Sequence, residues 1–370
     1  MCHSLRTSRL SAKVRCMRVS PVLLKNLTAE GLCAALAQAG LKPRAARQIQ
    51  ASVLRRGKWP DPQPGLPAAV LDRVRELANI PNLERVEKTV SPSDGFAKYL
   101  FRGENGDLFE AVRIPIMHRP DDRKYIVCVS SQVGCPLGCV FCATGRMGFR
   151  RNLAPWEMVD QVIKIQADSD FPVRGIVFMG MGEPMLNYDA VMTAAAIFSE
   201  PCGMAIHAKS ITVSTVGLIA GIRRFTQERR KYQLIVSLTS ANPARRAELL
   251  PVEKTQPTAE LIAALREYHA VMRRRVTLAW IMISGVNMGD RDAEELAKLT
   301  RDLPVKIDLI DVNDPTGKFK PPSRDELNAF RDALRKHIAA PVLRRYSGGQ
   351  DINAACGMLA VSPPKDLPCP

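Results

Sequence analysis

The stretch KYIVCVSSQVGCPLGCVFCATG (residues 124–145) contains four cysteines within fifteen positions. Cys128 lies in its apolar first part, and Cys135, Cys139 and Cys142 follow that part. The first seven residues are rich in β-branched and other apolar side chains, which predicts a buried strand. Gly134, Pro136 and Gly138 follow and prevent regular structure, so the last three cysteines lie in a loop directly after that strand. We interpret the stretch as the first strand of a repeated strand–helix pattern and the loop that carries its chemistry.

The rest of the chain repeats this alternation of apolar strands and helix-length segments. Such repetition predicts right-handed parallel crossovers, and about six units form an open or closed barrel. The further predicted strands are RGIVFMG, SITVSTVG, QLIVSLTS, RVTLAWIMI, VKIDLIDV and PVLRRYS. The predicted helices include APWEMVDQVIKIQAD, TAELIAALREYHAVMRR, DAEELAKLTRDL and SRDELNAFRDALRKHI. The last of these begins with Ser323 and Glu326 in capping-box spacing. We therefore predict an α/β fold built on a partial (β/α)6-type barrel.

Upstream of the barrel, the sequence predicts a small helical domain and a short antiparallel β extension. Thr28 is a suitable N-cap for a first helix that ends at Gly40, and a second helix ends at Gly57. LERVEKTVS, FAKYLFRG and LFEAVRIPI then alternate like antiparallel strands. The predicted division is a basic, disordered leader (1–20), a helical domain (21–80), the β extension or linker (81–120), the barrel (121–350) and a C-terminal segment (351–370).

Composition narrows the class of protein. The 370 residues, 46% of them hydrophobic, can bury a large core, and the longest apolar runs are far shorter than the roughly 20 residues of a membrane span. Ten cysteines are too few for a disulfide scaffold, so four in one segment indicate metal or redox chemistry in a reducing compartment. We expect a cytoplasmic protein without membrane contact and, by default, a monomer. Organellar import is the alternative, because the leader is Arg- and Ser-rich and has no acidic residue.

The charge of the chain is concentrated at its beginning. The net charge is +16, and residues 1–60 contain twelve Lys and Arg residues against the single acid Glu30. A basic segment of this kind favours binding to a polyanion such as nucleic acid. The alternative is a protein that is basic without a polyanionic partner.

Cys135, Cys139 and Cys142 stand in CxxxCxxC spacing. Three thiolates on an irregular loop suit three irons of a [4Fe-4S] cluster, and the fourth iron keeps an open position. A structural zinc ion is the alternative, but it requires four ligands, and no CxxC, CxxH or HxxxH partner stands nearby in sequence. With Phe141 before the last cysteine, the spacing is typical of radical S-adenosylmethionine (SAM) enzymes. An open iron can bind the amino and carboxylate groups of SAM and pass an electron to its sulfonium.

Polar residues follow several of the other predicted strands. Gly182, Glu183 and Pro184 follow the second strand, where a carboxylate and free backbone groups can hold the ammonium group of SAM. Further candidates for the same rim of the barrel are Ser214 on the third strand, Ser237 on the fourth and Asn313 after the sixth. Each of these could instead be an ordinary strand or capping residue.

Three segments together resemble the RlmN/Cfr family of radical SAM RNA adenosine methyltransferases: CVSSQVGCPLGCVFCATGRMGFRRNL, FMGMGEPMLN and DINAACGML. The resemblance covers about residues 23–360, and GLKPRAARQIQASVLRRGKW is similar to the family's N-terminal RNA-binding domain. It implies a radical SAM barrel with one [4Fe-4S] cluster and SAM. It also implies an RNA substrate and an electron donor such as flavodoxin or ferredoxin.

The resemblance implies a mechanism with two cysteines. Cys356 would take a methyl group from one SAM, and a radical derived from a second SAM would activate that methyl group for addition to adenine. Cys128 would then resolve the protein–RNA adduct through a Cys128–Cys356 disulfide, and Glu110 would be the proton acceptor. The cofactor-binding residues implied are Gly182, Glu183, Pro184, Ser214, Ser237, Leu238, Thr239 and Asn313.

The resulting functional hypothesis is methylation of an adenosine ring carbon, with carbon 2 favoured, in 23S rRNA and potentially in tRNA. The alternatives are methylation at carbon 8 or of another RNA, and a non-catalytic iron–sulfur protein that binds RNA as a sensor. Retention of Cys128, Cys356 and Glu110 argues against the sensor, which needs only the cluster. The sequence also departs from the family: Thr239 replaces a histidine, and RRYSGGQ replaces an RRTRG-type segment.

Overall fold

The computed structural model describes residues 20–117 and 119–361. Most of the predicted leader (1–20) and the end of the predicted C-terminal segment (351–370) therefore lie outside the described residues. A ten-stranded sheet forms the centre of the described chain, accompanied by two sheets of two strands. The strands are β1 (Val22–Leu23), β2 (Ala78–Asn79), β3 (Glu84–Val90), β4 (Ala97–Arg102), β5 (Leu108–Ile116), β6 (Lys124–Cys128), β7 (Gln132–Gly134), β8 (Phe149–Asn152), β9 (Val173–Phe178), β10 (Ile211–Thr215), β11 (Gln233–Ser237), β12 (Val276–Met282), β13 (Val305–Asp311) and β14 (Val342–Arg345).

Seven neighbouring strands of the large sheet are parallel, in the order β14-β13-β12-β11-β10-β9-β6. Each corresponds to one of the predicted apolar strands, because strands covered on both faces are apolar along most of their length. In sequence order, at least one helix lies between each of these seven strands and the next of the seven. The predicted partial barrel of about six strand–helix units is therefore confirmed, and β14 adds a seventh strand after the last helix.

The three predicted antiparallel strands are β3, β4 and β5, and they continue the barrel sheet. β5 pairs antiparallel with β6, so that Val112 lies opposite Cys128. β4 pairs antiparallel with both β5 and β3, which leaves β3 as the edge strand. The β extension is thus hydrogen-bonded to the first barrel strand.

The helices begin and end close to where the sequence signals predict. Thr28 accepts a hydrogen bond from the Gly31 backbone N–H and caps the first helix, and Gly57 ends the second in the left-handed region. The helices are α1 (Ala29–Ala35), α2 (Pro43–Arg56), α3 (Ala68–Leu77), α4 (Ala143–Arg146), α5 (Pro155–Ala167), α6 (Tyr188–Phe198), α7 (Ile219–Gln227), α8 (Pro243–Leu249), α9 (Thr258–Met272), α10 (Asp290–Leu299) and α11 (Arg324–His337). Among the described residues, no helix has the length and apolar character needed to cross a membrane.

The apolar side chains of the described residues form a large core between the sheet and its helices, a smaller one among α1, α2 and α3, and a third, which includes Ile281 and Ile310, beside the cysteine loop. The smaller core is attached to the barrel by polar contacts. The Lys25 ammonium group donates to Asp160 on α5 at 2.6 Å, and both side chains are fully buried. The Trp156 backbone N–H, at the beginning of α5, donates to the Asn26 side chain at 2.7 Å. The helical N-terminal segment is therefore fixed against one face of the barrel.

The loop after β14 returns to the other edge of the sheet. The Gly349 backbone N–H donates to Asp94 at 2.8 Å, and the Ser91 hydroxyl donates to Asp351 at 2.9 Å. Asp94 and Ser91 belong to the turn between β3 and β4, so the two edge strands approach each other and the sheet is curved. This closure brings residues after position 346 to the end of the barrel where the parallel strands end.

Candidate active site

The cysteine loop begins in a small hairpin formed by β7 and β8. Gly134 has a φ of 75°, and a Cβ atom there would collide with the carbonyl oxygen of Gly148. Only glycine allows this close approach, which positions the Cys135 N–H to donate to the same Gly148 oxygen at 2.9 Å. Cys142 closes a turn by donating its N–H to the carbonyl of Cys139 at 3.1 Å. The backbone of the loop is therefore fixed without help from the cysteine side chains.

The three cysteines face a cavity at the carboxyl ends of the parallel strands. It encloses about 1020 Å³, its open mouth included, which suits a small-molecule ligand. The structure brings most of the predicted site residues to this first cavity: Cys135, Cys139, Cys142, Gly182, Glu183, Pro184, Ser214, Ser237, Asn313 and Cys356. The predicted residues Leu238, Thr239, Glu110 and Cys128 do not line it.

The geometry of the cysteines can be compared with the needs of a metal group. A single tetrahedral ion with metal–sulfur distances of about 2.3 Å requires sulfurs about 3.8 Å apart. In the part of the chain that the structure describes, no three His, Cys, Asp or Glu side chains converge in this way. Three thiols that share a cavity without converging fit a cluster in which each binds a different iron. Burial raises the pKa of the Cys135 thiol to about 12.

Glu183 is the buried carboxylate of this cavity. Its side chain accepts hydrogen bonds from the backbone N–H groups of Met185 at 3.0 Å and Val216 at 2.9 Å. Burial raises the pKa of Glu183 to about 7, although both hydrogen bonds lower it. Gly182 before it has a φ of 103°, and a Cβ atom there would lie 2.9 Å from the Gln132 backbone nitrogen. Among the described residues Glu183 has no cationic partner, and a rigid carboxylate of this kind is suited to hold an ammonium group.

Asp311, the last residue of β13, also lines the first cavity. One of its carboxylate oxygens accepts from Arg344 at 2.6 Å, whereas the other is buried without a hydrogen-bond partner. An unpaired buried oxygen in a cavity is a further feature that fits a polar ligand with N–H or O–H donors. The sequence analysis missed Asp311, although its place at the end of the sixth strand was a usable signal.

Cys356 lies where the first cavity meets a second one. The second cavity is lined by Cys128, Arg345, Tyr346, Ser347 and apolar residues of β5 and β9, and Cys356 borders both cavities. Cys356 as a residue has an exposed surface. The protein atoms around its thiol nevertheless displace water and so raise the pKa of that thiol. A nearby Cys142 thiolate would raise it further. Cys356 is therefore accessible from both sides of the junction.

Hydrogen bonds fix the segment around Cys356. The Asn313 side-chain amide donates to the carbonyl of Cys356 at 3.3 Å and to the Ser347 hydroxyl at 2.9 Å. On the other side, the Ala143 N–H donates to the Gly357 carbonyl at 2.7 Å. Asn313, predicted as a cofactor-binding residue, thus lines the first cavity and also holds the segment that carries Cys356.

Comparison with known proteins agrees with this architecture. The profile of the radical SAM superfamily matches residues 129–299. A "Probable RNA methyltransferase" of Myxococcus xanthus is 49% identical over 92% of this chain and 94% of its own length. A "Probable dual-specificity RNA methyltransferase RlmN" of Leptospira interrogans is 37% identical over 91% of this chain and 95% of its own. The crystal structure of a radical SAM methyltransferase from Sphaerobacter thermophilus, 38% identical, gives a TM-score of 0.82 over 92% of this chain and 99% of that chain.

The chain belongs to the RlmN family of radical SAM RNA methyltransferases. The resemblance stated from the three sequence segments is therefore confirmed. The radical SAM superfamily implies a [4Fe-4S] cluster and SAM, which agrees with the three thiols and the buried carboxylate of the first cavity.

Cys128, predicted as the resolving cysteine of the RlmN family, is buried at the end of β6 and lines the second cavity. Burial raises the pKa of its thiol to about 12, and a nearby Cys356 thiolate would raise it further. Cys128 and Cys356 therefore line the same cavity, and their pairing in a disulfide stays a prediction.

Glu110, predicted as the family's proton acceptor, lines neither cavity. It lies on β5, where its carboxylate forms an ion pair with Lys98 at 3.0 Å and accepts from the Ala360 N–H at 3.0 Å. Burial raises the pKa of Glu110, while Lys98 lowers it. In this arrangement Glu110 anchors the C-terminal segment, and its role as a proton acceptor stays a prediction.

Leu238 and Thr239, carried over from the RlmN family, are both fully buried. Ser237 is the last residue of β11 and lines the first cavity. Leu238 follows it directly and does not line that cavity, as expected from the alternation of side chains along an extended chain. Thr239 has a φ of 62°, an uncommon conformation for a β-branched residue, and its hydroxyl is buried without a partner. Its position is occupied by the histidine in the family pattern.

Proposed function

We propose that this chain methylates carbon 2 of an adenosine in 23S rRNA, with tRNA as a second substrate, by way of a methyl group carried on Cys356. The single observation that carries the proposal is the place of Cys356 at the junction of two cavities. One cavity contains the cluster-type cysteines and the other contains Cys128, so one sulfur can serve a SAM-dependent step and a resolving step without leaving its position.

The first step assigned to the chain is methylation of Cys356. Glu183 holds the ammonium group of SAM, and the Cys356 thiolate attacks the methyl carbon. The new sulfur–carbon bond forms as the bond to the sulfonium breaks, which releases S-adenosylhomocysteine. Cysteine is suited to this step because its thiolate is a strong nucleophile at carbon.

The residues assigned to the cluster are Cys135, Cys139 and Cys142. When bound, the cluster supplies the electron that splits a second SAM into methionine and a radical able to take a hydrogen atom from the methyl group on Cys356. The chain's own contribution is the lining of the first cavity, where Leu137, Phe141 and Ile281 limit the access of water to the reacting atoms. An electron donor of the flavodoxin or ferredoxin type reduces the cluster.

Resolution of the adduct is assigned to Cys128. Once the carbon radical on Cys356 has added to the ring carbon, the adduct must lose one electron, which the oxidised cluster would take up. It must also lose the proton of that ring carbon to a base, the role predicted for Glu110. The thiolate of Cys128 then bonds to the sulfur of Cys356 as the bond between Cys356 and the transferred carbon breaks, and that carbon takes up a proton. The second cavity is lined by both thiols and opens to solvent, and we assign the base taken out of its stack to the mouth of this cavity.

RNA affinity is assigned to the helical N-terminal domain (21–80). α2 exposes Arg44, Arg47, Arg55 and Arg56 while its apolar side packs in the smaller core. When these arginines bind RNA phosphates, the counterions of those phosphates are released, so the affinity of the protein for RNA falls steeply as the salt concentration rises. Selection of one adenosine then depends on the folded shape of the RNA and the extruded base.

The test is an anaerobic reaction of the cluster-containing enzyme with SAM, a reductant and unmethylated 23S rRNA or tRNA transcripts. Nucleosides from the RNA are separated by mass spectrometry, and 2-methyladenosine is the expected product. The variant Cys356→Ala is expected to cleave SAM and to leave the RNA unmethylated. Cys202→Ala is the matched control, because Cys202 is a half-buried cysteine that lines neither cavity and should behave as the wild type.

The other functions give different outcomes in the same reaction. 8-Methyladenosine would replace the carbon 2 assignment with carbon 8. A protein that binds RNA but forms neither 5′-deoxyadenosine nor methylated RNA would be the iron–sulfur sensor. RNA methylation by Cys356→Ala would exclude the two-cysteine scheme.

A further inference from the structure

Tyr346 is an aromatic side chain that the fold keeps in solvent. It is 76% exposed, the highest value among the six large exposed hydrophobic residues of the described chain. It stands directly after β14 in RRYSGGQ, the segment that departs from the family pattern. The reaction steps proposed above make no use of this ring.

The ring of Tyr346 is held in place from one side. Its hydroxyl donates to Asp94 at 3.0 Å, and its ring contacts Phe96 edge to face, with centroids 6.1 Å apart. Gly348 lies so close that a Cβ atom there would be 2.6 Å from a ring carbon of Tyr346. Asp94 is itself fixed by the N–H of Gly349 at 2.8 Å. A ring with this many fixed contacts is presented to solvent in one orientation and loses little entropy when a ligand covers it.

The position of Tyr346 connects it to the reaction. The residue lines the second cavity, together with Cys128, Cys356 and Arg345. The ring lies beside any substrate group that enters the second cavity toward Cys356. The occupant is therefore the part of the substrate next to the reacting group, and for an RNA that part consists of nucleobases with flat aromatic faces.

We propose that Tyr346 is a stacking platform for a nucleobase of the RNA substrate at the mouth of the second cavity. This inference rests on the proposed function. Sequence-tolerant recognition of unpaired bases uses exposed aromatic rings beside cationic side chains, and Arg345 supplies the cation at this mouth. The arrangement gives this chain a means of holding the extruded region of the RNA in the segment where RRYSGGQ stands in place of RRTRG.

Two substitutions separate stacking from a purely structural role. Tyr346→Leu removes the π face and keeps apolar bulk, whereas Tyr346→Phe keeps the face and loses the bond to Asp94. Base–aromatic stacking is worth about 1–3 kcal/mol, so Tyr346→Leu should weaken the Kd for rRNA about 5- to 150-fold, with a matching rise in the KM for RNA. Tyr346→Phe should stay within about twofold of the wild type, because the stacking face is intact. Leu343→Ala is the matched control, since Leu343 is 51% exposed on β14 and lines neither cavity.

The readouts are the Kd for protein-free 23S rRNA, the KM for that RNA, and methylation of Cys356 without RNA, followed by mass spectrometry of the protein. Stacking is supported when Tyr346→Leu changes the two RNA constants and leaves methylation of Cys356 at the wild-type rate. It is overturned when Tyr346→Leu binds RNA like the wild type, or when it slows the methylation of Cys356 as much as it weakens RNA binding. If the wild-type enzyme binds rRNA without methylating it, the proposed function is wrong. The Kd values of the wild type and of Tyr346→Leu for rRNA would still test the stacking proposal in that case.

Discussion

The buried ion pair between Lys25 and Asp160 is the most sharply testable connection between the N-terminal helices and the barrel. The Lys25 ammonium group donates to Asp160 at 2.6 Å, to the carbonyl of Pro81 at 2.7 Å and to the Asn82 side chain at 3.0 Å. The second carboxylate oxygen of Asp160 accepts from the Leu83 N–H at 2.6 Å. Every proton of the ammonium group has an acceptor, although burial lowers the pKa of Lys25. The change to make is Asp160→Ala.

The expected magnitude follows from the burial of both partners. Removing one side of a fully buried pair leaves the other charge without compensation, which costs about 3–5 kcal/mol of unfolding free energy. With about 2.1 cal/mol/K of unfolding entropy per residue, the 370-residue chain has roughly 0.8 kcal/mol/K, so Tm should fall by about 4–6 °C. The same change leaves the Leu83 N–H without its acceptor, so exchange of the backbone N–H groups around residue 83 should accelerate.

The assay is thermal unfolding of the anaerobic, cluster-containing protein, combined with hydrogen exchange. Asp189→Ala is the control, because Asp189 pairs with Arg224 at the surface, is 80% exposed, and should leave Tm unchanged. The double variant Lys25→Gln with Asp160→Asn replaces the charges by a neutral hydrogen-bonded pair and should recover part of the loss. The reasoning is refuted if Asp160→Ala has the same Tm as the wild type, or if the double variant loses as much Tm as Asp160→Ala.

Two further predictions concern the first cavity. Glu183→Gln should raise the Kd for SAM, because the amide cannot provide the negative charge that holds an ammonium group. Equilibrium binding of SAM to the enzyme with an oxidised cluster measures this in a Cys356→Ala background, where SAM is not consumed, and an unchanged Kd would contradict the prediction. Gly134→Ala should lower the iron and sulfide content per chain, because its Cβ atom would collide with the Gly148 carbonyl and displace the cysteine loop. Gly106→Ala is the control for backbone strain alone, because Gly106 has a φ of 81° in an open turn. Equal iron contents in the two variants would contradict this prediction.

The fold was predictable because its signals are local. Each barrel strand is a short apolar run, and the first two helices have a capping Thr28 and a terminal Gly57, so composition over a few residues was enough. The residues at the ends of the strands were predictable for a topological reason, since the carboxyl ends of parallel strands meet at one end of a barrel. Glu183 and Ser214 therefore reached the same cavity, as expected.

Contacts between distant parts of the chain were not predictable from the sequence. Glu110 and Ala360 are 250 positions apart, and Asp94 and Gly349 are 255 apart. No local spacing connects such pairs, because they depend on how the two edges of the curved sheet approach each other. Asp311 escaped notice for a different reason: an acid at the end of a strand is common, and only the structure shows that one of its oxygens is buried without a partner.

The attachment of the segment around Cys356 limits how its sulfur can act. Asn313 and Ser347 hold the segment before and at Cys356, and Thr144 donates to the Leu359 carbonyl at 2.6 Å just after it. Since both flanks are fixed, large movements of the segment would break several hydrogen bonds at once. In the proposed reaction the sulfur acts from the junction of the two cavities, with the first cavity on one side and Cys128 on the other. The proposed reaction needs no more than this, because a fixed cysteine between two cavities could accept a methyl group on one side and pair with Cys128 on the other.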